Sequence, residues 1–434
     1  MRSRTRVFAG RNRLAGLLAS LFFLVPTFGA AQDPRFFDDA WLERKYATAP
    51  SKFVTVEGVR FHVRDEGRGP VLLLLNGHLG SLHMWDAWAR ILAPHLRIIR
   101  IDYAPYGLSG PDPSGDYSTE HSVQLVHALV DRLKLRKFSI GGTSNGALVA
   151  LFYAIEHPER VERVVVSTLP AGRPPPRQPS EAMRAAAVEL KAQAPFQPRA
   201  FWDAFLHDIM ANDAVIDDAM IDRYFELNNR RGSKEWVDAY IATQYKLWDT
   251  LDVKEKYARL HRPILLQWGA DGVVLPEQIG RDVAALLTNA PVTLKQYRGA
   301  GHLPMIEQPE ATARDALEFL RRWIASQQFC ATLGRGGIQR GDFFCGEFQR
   351  RAGQNFFELS YARRARDRGG DAVREQPCKC DAGGCGRVRC GYGIERGEDA
   401  QTARVEQRPH ARTARAFSEI FGVAIFARQK SRGE

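Results

Sequence analysis

Residues 142–146 read Gly-Thr-Ser-Asn-Gly, and this pentapeptide constrains the fold more than any other stretch of the chain. A short strand-like run at 137–141 precedes it, and helix-forming residues at 147–154 follow it. A serine on a sharp strand-to-helix turn has a strained backbone, and glycines on either side let the strand and helix approach closely. The pattern therefore predicts a turn that exposes the hydroxyl of Ser144 as a nucleophile.

A nucleophilic serine needs a base and an acid that orients the base, in the chain order Ser, Asp or Glu, His for this kind of turn. An apolar strand-like run over 263–269 leads into a turn that carries Asp271. A second strand-like run over 292–297 leads into the loop Gly299-Ala-Gly-His302. The order predicts His302 as the general base and Asp271 as the acid.

Cleavage of an acyl group also needs preorganised donors for the oxyanion, and backbone N–H groups serve well. One predicted donor is the N–H of Asn145, which follows the nucleophile. The second is the N–H of His78, in the loop after the apolar run 71–75. No second ligand lies at a useful spacing from the His78 imidazole, so we expect this side chain to be a wall of the pocket rather than part of a metal site.

These motifs together resemble the α/β-hydrolase superfamily, in the cap-bearing group of esterases, lipases and carbon–carbon bond hydrolases. The resemblance covers roughly residues 43–325, including a hairpin-like stretch at 53–60, the loop at 102–111 and the stretch 301–310. It implies an α/β fold, with a doubly wound, mostly parallel sheet and an inserted helical cap. It also implies a Ser144-His302-Asp271 triad that hydrolyses a small-molecule acyl substrate through an acyl-enzyme, with no cofactor and no metal.

The chain departs from the family in the acid loop. The family commonly spaces Gly-x-x-Asp, whereas Asp271 stands one residue early after Gly269. Counting back from Pro276 places Gly272 at the acid position. Either the turn is one residue shorter and Asp271 still reaches His302, or the acid is lost. We expect the shortened turn, because no carboxylate stands directly after the preceding strand-like run 163–167.

Two other departures affect the walls of the pocket. Asn76-Gly77 replaces the usual His-Gly, which keeps the backbone donor and changes the local hydrogen bonds. Tyr103-Ala-Pro-Tyr106 replaces a more usual Pro-Gly turn.

The segment over 168–262 separates the strand-like run 163–167 from the run 263–269 that precedes Asp271. This segment predicts the helical cap. A cap excludes water and shapes an apolar pocket, so we expect a small or medium apolar acyl substrate. Two alternatives stay open: a carbon–carbon (diketone) hydrolase, and a non-catalytic binding protein with this fold. Most of the aromatic residues in the segment are expected to pack cap helices together: Phe201, Trp202, Phe205, Tyr224, Phe225, Tyr240 and Trp248.

The amino-terminal residues 1–31 predict a secretory signal peptide and hence export to a periplasm or the outside. Five arginines precede an apolar run at 14–25, and Gly29-Ala-Ala31 offers a cleavage point. The alternative is an uncleaved anchor, but the apolar run is shorter than the ~20 residues of a spanning helix. The catalytic domain is predicted over 32–328.

The tail over 329–434 is rich in Arg and Gly and is predicted to be disordered or to be a reading-frame artefact. Zinc binding or disulfides are the alternatives, although the spacing fits no known zinc module. It holds all six cysteines: Cys330, Cys345, Cys378, Cys380, Cys385 and Cys390.

The chain has 61 Lys+Arg and 50 Asp+Glu, a net charge of +11. Because the excess lies in the two ends, it predicts no nucleic-acid partner.

Overall fold

The computed structural model describes residues 33–321 throughout, together with the backbone of four short strands farther along the chain. By its contacts the chain divides into residues 1–35, of which only 33–35 are described, and residues 36–434. The predicted signal peptide over 1–31 lies outside the described residues.

Eight strands form the main sheet, in the order β1-β2-β4-β3-β5-β6-β7-β8. β1, β2 and β4 pair antiparallel, and β4, β3 and β5 to β8 pair parallel. The predicted mostly parallel sheet is confirmed. The strands are β1 (Ser51–Val56), β2 (Val59–Gly67), β3 (Val71–Leu75), β4 (Arg97–Ile101), β5 (Phe138–Thr143), β6 (Val161–Ser167), β7 (Ile264–Gly269) and β8 (Val292–Tyr297).

The inner strands are mostly apolar and buried, as expected of parallel strands that are covered on both faces. All six residues of β5 and of β7 are buried. The helices are α1 (Asp39–Tyr46), α2 (Asp86–Leu92), α3 (Thr119–Arg132), α4 (Asn145–Glu156), α5 (Glu181–Gln193), α6 (Arg199–Ile209), α7 (Asp218–Asn228), α8 (Ser233–Thr250), α9 (Val253–Ala258), α10 (Glu277–Leu286) and α11 (Pro304–Glu307), followed by a helix over 309–321. Short 3-10 turns span Leu82–Trp85 and Asp213–Val215.

Helix α4 is the central helix, and it is apolar all round. Ten of its twelve residues are buried, which is the pattern of a helix enclosed by other elements rather than one lying on the surface. This burial holds the first turn of α4 rigidly at the carboxyl end of β5, in the middle of the sheet. In open α/β sheets, ligands bind at this edge, where the strand order changes direction.

Five helices, α5 to α9, connect β6 to β7 within the predicted cap segment 168–262. Several of the aromatic residues there do pack against one another. The Phe201 and Trp202 ring centroids lie 5.2 Å apart, and those of Trp202 and Tyr224 lie 5.9 Å apart. Tyr240 is different, because its ring packs against rings of the main domain.

Beyond residue 321 the structure describes four strand backbones, paired antiparallel in the order β12-β11-β10-β9. They are β9 (Phe344–Arg350), β10 (Phe357–Arg364), β11 (Val373–Cys380) and β12 (Arg389–Cys390). The rest of 329–434, including the cysteine side chains, lies outside the described residues. The expectation of a poorly ordered tail stays a prediction.

Candidate active site

Ser144 lies on the sharp turn that the sequence predicts, between the end of β5 at Thr143 and the start of α4 at Asn145. Its backbone has φ 51° and ψ −124°, a conformation that costs a non-glycine residue about 1–3 kcal/mol. The N–H of Ser144 donates to the Ser167 carbonyl at 3.0 Å, which anchors the turn to the end of β6. Such strain persists only where the surrounding structure enforces it, and it holds the hydroxyl at the sheet edge.

Both glycines of the pentapeptide are needed because backbone atoms press against them. A Cβ built on Gly142 would lie 2.5 Å from the Gly146 carbonyl carbon. A Cβ on Gly146 would lie 2.1 Å from the Asn76 carbonyl oxygen. These separations are far shorter than van der Waals contact, so only glycine fits at either position.

His302 follows β8 on a loop, and the structure brings this loop to the same edge as Ser144. Its N–H donates to the Ile209 carbonyl at 2.9 Å, and its carbonyl accepts from the Thr168 hydroxyl at 3.0 Å. Thr168 Oγ1 lies 3.5 Å from Thr143 Oγ1, next to the nucleophile. Among the described residues, no hydrogen bond joins Ser144 Oγ to the His302 imidazole. The two residues are therefore linked through the ends of β5 and β6, and their roles as nucleophile and base stay a prediction.

Burial lowers the pKa of His302 to about 4, and the positive charge of Arg177 acts in the same direction. The imidazole is therefore neutral at neutral pH, which is the form that can accept a proton from a serine hydroxyl. Arg177 itself forms an ion pair with Asp208 of α6, at 2.5 Å.

Asp271 does not reach His302, so the predicted contact with the base is wrong. The Asp271 carboxylate is exposed and accepts from the Gly299 N–H at 2.6 Å. His302 is 9% exposed, and its buried Nδ1 has no hydrogen-bond partner among the described residues. The turn after β7 leaves Asp271 exposed, with its carboxylate bonded to a backbone amide.

This arrangement agrees with the other alternative that the sequence raises, a loop with Gly272 at the position of the acid. A Cβ built on Gly272 would lie 3.4 Å from the carbonyl carbon of Gly301, the residue before His302. A side chain at this position would therefore start against the loop that carries the base. Among the described residues, no carboxylate bonds to Nδ1 of His302, the predicted base.

The oxyanion roles of the Asn145 and His78 N–H groups stay a prediction, and the segments that carry both residues are close to Ser144. Asn145 opens α4, where backbone N–H groups have no partner within the helix and the helix dipole favours negative charge. In the described part of the chain, the N–H of His78 bonds to no other group. A Cβ on the preceding residue, Gly77, would lie 3.5 Å from Ser144 Cβ, so the loop after β3 packs directly on the nucleophile.

Asn76 holds this loop in place. Its side-chain amide donates to the carbonyls of Gly77 and Gly80 at 2.9 and 3.0 Å. Its side-chain oxygen accepts from the Tyr103 N–H at 3.1 Å. An asparagine side chain can bond to the carbonyls of this loop and to the N–H of Tyr103 at the same time, because it carries both donors and an acceptor.

The imidazole of His78 packs against a cluster of three tyrosines, and its role as a pocket wall stays a prediction. His78 Nδ1 lies 2.6 Å from the Tyr106 hydroxyl, and the imidazole stacks on Tyr240 at a centroid distance of 5.8 Å. The Tyr240 hydroxyl lies 3.3 Å from that of Tyr103. Burial lowers the pKa of His78 to about 4 and raises the pKa of Tyr240 to about 12, with contacts to Tyr103 and Asn145 opposing the latter shift. All four groups are neutral at neutral pH.

The sequence does not predict the contact between His78 and these three tyrosines. From the sequence, Tyr103 and Tyr106 belong to a loop that departs from the family, and Tyr240 is one of several aromatic residues in the cap segment. Tyr103 and Tyr240 are 137 residues apart, and no spacing pattern signals their contact.

A second array has the same connectivity as a triad and is not an active site. His62 Nδ1 lies 2.8 Å from Asp102, and its Nε2 lies 2.8 Å from the Ser51 hydroxyl. His62 and Asp102 are completely buried, so no substrate can reach them. Asp102 also accepts the N–H groups of Leu82 and Leu108, which identifies the array as a brace for the loop after β4.

A family model described as alpha/beta hydrolase fold matches residues 70–309, a stretch that includes Ser144 and His302. The chain belongs to the alpha/beta hydrolase fold family. It is 28% identical over 267 residues to the "Putative carbamate hydrolase RutD" of Pseudomonas savastanoi pv. phaseolicola, covering 60% of this chain and 96% of the relative. It is 24% identical over 281 residues to a "2-hydroxy-6-oxononadienedioate/2-hydroxy-6-oxononatrienedioate hydrolase" of Cupriavidus pinatubonensis, covering 62% and 95%.

Solved structures share the fold of this alpha/beta hydrolase. A putative lipase from Acinetobacter baumannii superposes with a TM-score of 0.53 at 21% identity, over 65% of this chain and 94% of that one. The protein is a hydrolase by these relationships. Within residues 33–321, no helix combines the length and the apolar character needed to cross a bilayer.

Proposed function

We propose that this alpha/beta hydrolase cleaves a carboxylic ester, or a related acyl bond, of a small or medium apolar substrate through an acyl-enzyme on Ser144. The observation that carries the proposal is the position of Ser144. It stands on a strained turn at the first turn of a buried helix, on the same backbone framework as the neutral, buried His302.

In the proposed reaction, His302 takes the proton of the Ser144 hydroxyl as its oxygen attacks the substrate carbonyl. The N–H groups of Asn145 and His78 bind the resulting oxyanion. The tetrahedral intermediate collapses, the carbon–oxygen bond to the alcohol breaks, and His302 returns the proton to the leaving oxygen. Water then attacks the acyl-enzyme with the same base, releasing the acid and restoring the serine.

The missing acid favours esters over amides. Without a carboxylate on Nδ1, the imidazolium that forms on His302 is less stabilised, so the base is weaker in the transition state. An alkoxide or phenoxide needs less help from the imidazolium to depart than an amine, which leaves only when protonated. A weakened base therefore penalises amide cleavage more than ester cleavage.

The cap favours apolar substrates of limited size. The residues that approach the site from the cap and the neighbouring loops, Tyr103, Tyr106 and Tyr240, are buried and neutral. Tyrosine rings can contact the apolar part of a substrate, and tyrosine hydroxyls can hydrogen-bond to its carbonyl group and orient it.

The test is labelling and turnover of the full chain with Ser144→Ala. Wild-type protein should react with a fluorophosphonate probe and hydrolyse short p-nitrophenyl esters, and Ser144→Ala should lose both while keeping its fold. Ser122→Ala is the matched control, since the hydroxyl of this serine on α3 bonds, among the described residues, only to the carbonyl of the N-cap residue Ser118. Equal turnover by wild type and Ser144→Ala would overturn the assignment.

The second candidate is a carbon–carbon bond hydrolase acting on a vinylogous diketone. It is favoured by one observation: the relatives include hydrolases named for 2-hydroxy-6-oxo dienoates, at 23–25% identity. Turnover of such a diketone with no activity on the esters would select it. A wild-type Ser144 that the fluorophosphonate leaves unlabelled would favour the non-catalytic binding protein instead.

We also propose that residues 1–31 direct export, on the strength of the five arginines and the apolar run that follows. Amino-terminal sequencing of the protein from a periplasmic or culture fraction should begin at Gln32. Recovery of the intact amino terminus from the cytoplasm alone would contradict this.

A further inference from the structure

Glu307 is a buried carboxylate next to the catalytic loop, and it has an unusual set of partners. It is 3% exposed. Its Oε2 accepts the backbone N–H groups of Gly301 and Ala211 at 2.8 Å and of Asn212 at 3.1 Å. Its Oε1 accepts the N–H of Leu303 at 3.1 Å. Two of these four donors flank the catalytic histidine, and the other two belong to the cap segment that follows α6.

The two segments that Glu307 joins are also in direct contact. The N–H of His302 donates to the Ile209 carbonyl at 2.9 Å. A Cβ built on Gly301 would lie 2.7 Å from the Ala211 nitrogen, so only glycine permits this approach. The Asn212 side-chain amide donates to the Glu307 carbonyl at 3.4 Å. The base therefore lies on a loop that the cap edge and one carboxylate enclose.

A carboxylate suits this position because it only accepts hydrogen bonds and offers two oxygens with several lone pairs. Among residues 33–321, no lysine or arginine forms an ion pair with Glu307, and backbone N–H groups are its hydrogen-bond donors. Hydrogen bonds between a charged acceptor and backbone N–H groups are roughly twice as strong as neutral ones. A glutamine would turn a donor NH₂ toward at least one of the four N–H groups.

We propose that Glu307 is a positioning residue that sets the His302 loop and ties it to the cap edge at Ala211 and Asn212. The inference rests on the proposed function of Ser144 and His302. Glu307 orients His302, whose imidazole has no carboxylate partner among the described residues. It does so by holding the backbone of the His302 loop rather than by bonding to the imidazole. Movement of the cap edge is transmitted to the base through this carboxylate.

The experiment compares Glu307→Gln with Glu226→Gln. Glu226 is also buried and also bonded by its carboxylate, but its partners are Lys45 and Tyr46 of α1. Both variants are assayed for ester kcat and KM, for the second-order rate of fluorophosphonate labelling, and for Tm. A displacement of about 1 Å in a catalytic group can cost ~100-fold in rate. We expect Glu307→Gln to lower kcat and the labelling rate in parallel by about 10- to 100-fold, with KM within about threefold. We expect Glu226→Gln to lower Tm with kcat unchanged.

Hydrogen exchange on the wild-type chain gives a second test that does not depend on the variant folding. The Ala211 and Gly301 amides lie outside helices and strands, and among the described residues Glu307 is the hydrogen-bond acceptor of both. They should exchange slowly, and Glu307→Gln should expose both together. Fast exchange in wild type, or a Glu307→Gln enzyme with wild-type kcat and labelling rate, overturns the proposal. If wild-type Ser144 itself does not label, the proposed function fails instead, whereas the amide protection still reports on the Glu307 contacts.

Discussion

Replacing Gly272 by aspartate should give His302 the carboxylate that it lacks. The imidazole Nδ1 is buried and unpartnered among the described residues. Gly272 is not among the residues with positive φ, so a side chain there meets no backbone strain. A Cβ at this position would contact Gly269 oxygen at 3.3 Å and Gly301 carbon at 3.4 Å, which demands an adjustment of a few tenths of an ångström. The carboxylate would begin beside the loop of the base.

The expected gain follows from the strength of the new bond in the transition state, when His302 is positively charged. A hydrogen bond to a charged group contributes about 1.5–3 kcal/mol. Since ~1.4 kcal/mol corresponds to tenfold in rate, Gly272→Asp should raise kcat by about 10- to 100-fold. Neutralising the acid of a serine protease triad costs ~10⁴-fold, which is an upper bound. The same negative charge should raise the pKa of His302 from about 4 toward its ordinary value.

The assay is kcat for p-nitrophenyl acetate and butyrate across pH 4–9, with Gly272→Ala and Gly272→Asn as matched controls. Alanine measures the cost of the added Cβ, and asparagine adds the shape of aspartate without its charge. We expect kcat to rank Asp first, with the acid limb of its pH profile moved upward. A folded Gly272→Asp enzyme that is no faster than Gly272→Ala, with an unmoved acid limb, would refute the reasoning.

The remaining predictions concern the acid loop, the pH dependence and the tail. Asp271→Asn should change kcat only a few-fold, because its carboxylate bonds to Gly299 and not to the base; a loss approaching ~10⁴-fold would show that it acts as the acid in solution. The wild-type kcat/KM should stay level from pH 7 to pH 5 and fall by half near pH 4, because the pKa of His302 is about 4; an acid limb centred at pH 6.5 would contradict its burial. His78 and His302 have pKa values of about 4 in the folded state and about 6.5 in the unfolded state, so the unfolded state binds more protons between pH 4 and pH 6.5. Tm should therefore fall as the pH drops from 6.5 to 4. Above pH 6.5 these two groups should change Tm little. A chain that ends at Gln328 should keep its kcat and Tm, and loss of folding on truncation would show that the tail is structural.

Local sequence determined the elbow and the position of the base. The turn at Ser144 is specified by two glycines within two residues of it, and the helix that follows by the apolar run 147–155. His302 follows a strand whose pairing with β7 is parallel, so the loop had to emerge at the carboxyl edge of the sheet. These features depend on neighbouring residues and on the direction of the strands, and a pattern along the chain records both.

Tertiary structure alone decided which groups surround the base. Asp271 and Gly272 are adjacent in the chain, and the direction of one carboxylate depends on where the Gly299 amide lies, 28 residues away. The Glu307 contacts to Ala211 and Asn212 span 96 and 95 residues. Hydrogen bonds depend on distances of a few tenths of an ångström between backbone segments that only the packed cap and sheet bring together. Spacing along the chain raised both alternatives for the acid loop but could not choose between them, and it gave no sign of the Glu307 contacts.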